Sequence, residues 1–191
     1  MAAATSSLRV ERPGGCRDRA VLLVGFGAAL RRSELIALDL DDITITQPGL
    51  TILVRRSKTD QEGQGREIGI PRSRKSATCP VAALEAWLAL GNHLSIRPGE
   101  RKENRNFSSP LFTRVDHGRI TGDRLTGRAV AEIVKRAAKR VGIDPSKVAG
   151  HSLRSGFATS AARGGASLAD IMAQTGHKNS DVAMRYEAQR V

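Results

Sequence analysis

The sequence predicts a mainly helical domain with one small antiparallel β-sheet on a side, an α+β fold. Three observations carry this expectation. Apolar residues recur at helical spacing near the N-terminus and again through the second half of the chain. Three short β-branched runs stand together between residues 42 and 71, divided by turn residues. The length of 191 residues fits a single domain, with room for at most a small appendage.

Residues 1–14 read as a disordered tail. The stretch CRDRAVLLVGFGAAL then reads as a buried helix from Cys16 to Leu30. Its apolar run, Ala20 to Leu30, is eleven residues long, whereas a bilayer span needs about 20, so it belongs to a core and not to a membrane. The basic corner RRSELIALDLDDI follows, where Ser33 can cap a new short helix and Glu34 favours its positive end. DITIT, LTILVRR and REIGIP read as strands separated by QPG and by the Gly-rich SKTDQEGQG, with Pro71 stopping the third. PVAALEAWLALG returns to helix, with Pro80 in its first turn and Gly91 as its stop.

Residues 97–109 are polar, charged and aperiodic, and read as a long surface loop. An amphipathic helix is expected within residues 122–143, with apolar residues at 130, 134, 137 and 141. Its opposite side carries Arg128, Lys135, Arg136, Lys139 and Arg140. Three shorter helices complete the layout: HSLRSGFATSAARGG, SLADIMAQTG and SDVAMRYEAQ.

Composition narrows the partners. Lys+Arg 31 against Asp+Glu 19 gives a net charge of +12 and a pI near 10.9. Such a balance suits a polyanion, and nucleic acid is the commonest one. With four Phe and one Trp, the core must be built from aliphatic residues. Cys16 and Cys79 form no CxxC pair and read as thiols of a reducing compartment. The first residues lack the apolar region of a signal peptide, so a cytoplasmic location and no membrane partner are expected. There is no HExxH and no GxxxxGK[ST] loop, which argues against those metal and nucleotide sites.

Several residues could carry chemistry. His151 and Arg154 stand at i and i+3 at the start of a helix, where both can reach one anion beside its positive end. Arg31 lies at another helix boundary, and Lys58 enters the Gly-rich turn of a hairpin. Tyr186 is the only tyrosine of the chain and follows Arg185 in a polar segment. Taken singly, each has an ordinary reading: a surface pair, a solvated corner, a turn lysine, a packed ring.

Taken in order, ALRRSE (29–34), Lys58, HSLR (151–154), GH (176–177) and Tyr186 resemble the tyrosine recombinase (phage integrase) family over about residues 15–190. The resemblance implies a catalytic domain over residues 15–191, with no N-terminal core-binding domain in this chain. It also implies that Arg31, Arg154 and His177 hold the non-bridging oxygens of a DNA phosphate. Tyr186 would attack phosphorus to give a 3′-phosphotyrosyl link, His151 would accept its proton, and Lys58 would protonate the departing 5′ oxygen. Glu34 would orient Arg31 or His151. No metal, ATP or other cofactor is implied. The partner would be double-stranded DNA, with higher-order assembly on it and at most weak self-association away from it. Two alternatives stay open, a catalytically silent DNA-binding relative and a type IB topoisomerase. Thr175 departs from the family, which often has Leu before Gly-His.

Overall fold

The computed structural model describes residues 12–56, 65–91 and 109–176. Helix α1, Pro13–Gly27, runs through the centre. It begins at Pro13 rather than Cys16, because proline at a first helical position loses only an amide that has no partner there. Ala20 to Val24 are at most 4% exposed, so this helix is enclosed nearly all round. It packs against α3 (Pro80–Leu90), α4 (Gly127–Arg140) and α5 (Ser152–Arg163). It stops at Gly27, short of the expected Leu30, because Ala29 adopts a left-handed φ of 50° and turns the chain away. An L-residue there costs about 1–2 kcal/mol, which the surrounding contacts must offset.

Helix α2, Arg32–Ala37, begins immediately after that turn. Ser33 is not its cap, as the sequence suggested; the chain enters in extended conformation at Arg31, and Ser33 already lies inside the helix. The first sheet has the expected three strands, β1 (Ile43–Ile45), β2 (Gly49–Val54) and β3 (Arg66–Pro71), antiparallel in that order. Ile43 faces Ile52, Leu50 faces Ile70 and Val54 faces Arg66. Leu50, Ile52, Val54, Ile68 and Ile70 are buried, while Leu53, Glu67 and Gly69 are exposed. The period of two therefore puts one face of the sheet on the core.

A second hairpin was not anticipated. β4 (Thr113–Asp116) and β5 (Arg119–Arg124) pair antiparallel, where the sequence had suggested that helix would start near Gly122. His117 and Gly118 join them with φ of 45° and 79°. Two successive positive φ values are the signature of a two-residue hairpin turn whose twist matches that of its strands. Arg124 closes the unit by donating to the carbonyls of Ile36 and Leu38 and pairing with Asp39. Helix α4 then starts only at Gly127, where Thr126 Oγ1 accepts from the Ala129 amide.

Along α4, Val130, Ile133, Val134, Ala137 and Ala138 are buried against the core. Phe112, Leu22, Leu30, Leu35, Leu84 and Leu125 are other large side chains wholly enclosed there. Trp87 is also buried, and its Nε1 donates to the Leu111 carbonyl at 2.8 Å, so its one polar atom is satisfied. Helices α5 and α6 (Leu168–Thr175) pack on each other at the C-terminal side of the described chain. Ser167 caps α6, and Asp170 reaches back to the Ser167 amide.

Candidate active site

The turn after α1 and the N-terminus of α5 meet at one corner. Leu153 Cδ1 lies 2.8 Å from where a Cβ on Gly25 would stand, and Leu35 Cδ2 lies 3.0 Å from it. Glycine at 25 is therefore what lets α1 come close to α2 and α5 together. From α5, Arg154 turns inward, 6% exposed, and its Nη1 donates to the Ala29 carbonyl at 3.0 Å. That carbonyl belongs to the left-handed residue two positions before Arg31. The strained turn thus presents one group to Arg154 and sends Arg31 into the same corner.

Arg31 is held by Glu34. Its Nη1 pairs with Oε1 at 2.7 Å, and its backbone amide donates to Oε2 at 2.9 Å. The Glu34 side chain is 2% exposed and the Arg31 side chain 22%, so the guanidinium is oriented from within while part of it faces solvent. Of the two roles expected for Glu34, orienting Arg31 is the one its contacts fit. Its other guanidinium partner is Arg66, at 3.5 Å, and not a group on His151.

Arg66, the first residue of β3, was missed in the sequence. Its Nη1 donates to the Gln174 carbonyl at 2.9 Å, near the end of α6. Burial lowers its pKa, an effect partly opposed by the Glu34 charge. One buried carboxylate therefore serves two guanidiniums, leaving an excess of positive charge in a corner where an anion would be welcome. Gln174 adds a further tie, donating through Nε2 to the Gly27 carbonyl at 2.9 Å.

His151 stands at the N-cap of α5 and is exposed, whereas Arg154 one turn on is buried. The HxxR spacing thus supplies one inward and one outward group at the same helix end. Arg32 is also exposed, and its stem lies along two glycines. A Cβ on Gly150 would meet Arg32 Cδ at 2.5 Å, and one on Gly127 would meet Nε at 3.1 Å. The slot that seats Arg32 lies directly beside His151 in the chain.

The basic side of α4 is only partly as expected. Arg128, Lys135 and Lys139 are separated by seven and four residues and share the side opposite the buried one. Arg136 instead pairs with Asp18 of α1 at 2.9 Å. Asp18 is buried and also holds Arg17 at 2.7 Å, so Arg136 completes a structural ion cluster. Arg140 is exposed at the helix end. Thr175, the departure from the family pattern, is fully buried; its hydroxyl donates to the Ile171 carbonyl at 2.6 Å, so a polar residue fills an apolar slot without an orphaned group. Lys58, His177 and Tyr186 lie outside the described residues.

This architecture is that of tyrosine recombinase catalytic domains. The XerH site-specific recombinase bound to a palindromic difH substrate superposes with a TM-score of 0.72 at 20% identity, over 98% of this chain and 46% of that one. The XerA recombinase gives 0.65 at 25% identity, over 97% of this chain and 53% of that one. In sequence, the integrase/recombinase xerD homolog of Selenomonas ruminantium is 40% identical over 179 residues, covering 92% of this chain and 48% of the relative. The phage integrase family pattern matches residues 1–191, and the chain belongs to that family. It spans about half the length of the curated relatives it matches. Among the described residues no helix is long and apolar enough to cross a membrane.

Proposed function

We propose that this chain supplies the DNA-cleaving and rejoining centre of a tyrosine-type site-specific recombinase or integrase, acting in the cytoplasm. The observation that carries the reading is the arginine corner: Arg31 oriented by buried Glu34, and Arg154 tied to the Ala29 carbonyl two residues before Arg31. A phosphodiester repels nucleophiles, and attack on it passes through a state with extra negative charge. Fixed guanidiniums meet that charge with directed donors, worth on the order of 3 kcal/mol each in rate, and their planar forks fit phosphate oxygens as an ammonium cannot.

In this reading Tyr186 attacks phosphorus and the scissile P–O5′ bond breaks. His151, at an exposed helix N-cap, takes the phenol proton, and Lys58 delivers one to the 5′ oxygen. His177 donates to a non-bridging oxygen. The 3′-phosphotyrosyl bond conserves the energy needed for religation, so ATP is not required, and guanidiniums meet the phosphate charge in place of a metal ion. Strand exchange between two duplexes breaks a strand at every junction, and each chain brings one tyrosine. Several copies must therefore assemble on the DNA. Residues 15–191 would form the catalytic domain throughout.

The test is a suicide duplex nicked beside the cleavage position, so that the short 5′-hydroxyl strand leaves and religation is blocked. A denaturant-resistant adduct is expected with the chain, present with EDTA and absent in Tyr186→Phe. Saturating DNA without any adduct would instead favour a DNA-binding relative that does not cut.

A further inference from the structure

Arg66 occupies a position that the proposed chemistry does not use but depends on. It is the first residue of β3, at the foot of the connection that contains Lys58, and it spans two parts of the site. One end of its fork reaches Glu34 Oε2 at 3.5 Å, the same oxygen that accepts the Arg31 amide at 2.9 Å. The other end donates to the Gln174 carbonyl at 2.9 Å. Its body packs on Gly176, the residue before His177. A Cβ there would meet Arg66 Nε at 3.0 Å and Cζ at 3.1 Å, and Gly176 also holds a left-handed φ of 66°. The left-handed turn that ends α6 is thus set against the Arg66 side chain. Only a guanidinium can serve both ends, since its donors are held in a plane at fixed separation.

We infer that Arg66 is a positioning residue: it locks the carboxylate that orients Arg31 to the end of α6, so that both sides of the site are set by one side chain. This rests on the recombinase reading for its catalytic consequence, but the physical tie can be measured without catalysis. Replacement by Leu should remove both bonds while keeping an apolar stem in place. Replacement by Lys keeps the charge but cannot bond Glu34 and Gln174 together.

The experiment compares the chain with Arg66→Leu and Arg66→Lys in two measurements. In hydrogen exchange, Arg66→Leu should lose protection in residues 172–176 and in residues 31–35 together, while the amides of α4 keep theirs. Adduct formation on saturating suicide duplex should slow by on the order of 10²-fold in Arg66→Leu, as expected for a displaced reacting group, and be only partly restored in Arg66→Lys. A duplex with a neutral methylphosphonate at the scissile position has less charge for Arg31 to meet, so the variant's deficit should shrink there. An equal deficit on both duplexes, or protection lost at one segment alone, would overturn the inference. Wild-type protein that makes no adduct would sink the recombinase reading, and the exchange result would then decide the Arg66 tie by itself.

Discussion

Arg154 donates through Nη1 to the carbonyl of Ala29 at 3.0 Å, joining residues 125 apart in the chain. The acceptor is a left-handed alanine, so the bond that seats Arg154 also helps hold a costly backbone conformation. A lysine at 154 would keep the charge but lose the planar fork that holds this carbonyl and, in the proposed reading, meets a phosphate. Arg154→Lys should therefore bind DNA nearly as well as the parent while forming the covalent adduct about 10²-fold more slowly. Single-turnover cleavage at saturating DNA, beside an equilibrium binding titration, measures the two effects separately.

Glu34 is buried with two arginines on its oxygens. Glu34→Gln preserves shape and removes the charge, so it should lower stability by about 1.5–3 kcal/mol, the range for hydrogen bonds to charged groups. Because Arg31 would lose its orientation as well, adduct formation should fall by more than the loss of folded protein explains. Urea unfolding and cleavage under conditions where the variant is fully folded check this.

Gly25 admits Leu35 and Leu153 to the side of α1. Gly25→Ala would press a methyl group into both, and overpacking of this kind costs about 1–3 kcal/mol. The strain should be partly relieved when Leu153→Ala is added, giving a double variant less damaged than the sum of the two. A strictly additive result in thermal or urea denaturation would show that α1 and α5 do not press on each other at this point.

DNA affinity should fall steeply with salt, with a log–log slope near −0.9 for each phosphate engaged. Lys139→Ala should weaken binding a little and leave unfolding unchanged. Arg136→Ala should do the reverse, because its guanidinium compensates buried Asp18. Filter binding across a salt series and urea titrations of both variants distinguish these two basic positions of α4.

The contrast between those two α4 residues explains what was legible beforehand. Helical spacing placed Lys139 and Arg136 together on the charged side of one helix, and this is correct as far as one helix goes. That Arg136 faces a carboxylate on α1 is a property of packing between distant elements, which no local period encodes. The three-stranded sheet was readable because three short β-branched runs are divided by QPG and by a Gly-rich stretch. The β4–β5 hairpin was not, since its strands are short and largely polar outside Val115 and Ile120. Arg31, His151 and Arg154 stood out through their family spacing. Arg66 did not, because REIGIP reads simply as a strand, and its importance comes from partners in α2 and α6.

Three of the ties that assemble the corner are long in sequence: 108 residues from Arg66 to Gln174, 125 from Arg154 to Ala29, and 147 from Gln174 to Gly27. Loops of that length close late, after shorter-range contacts have met the entropic cost of bringing the ends together. A chain still emerging from the ribosome would hold Arg31 without Arg154. In the proposed reading, the paired arginines that meet a phosphate would then exist only once the chain is complete through α5.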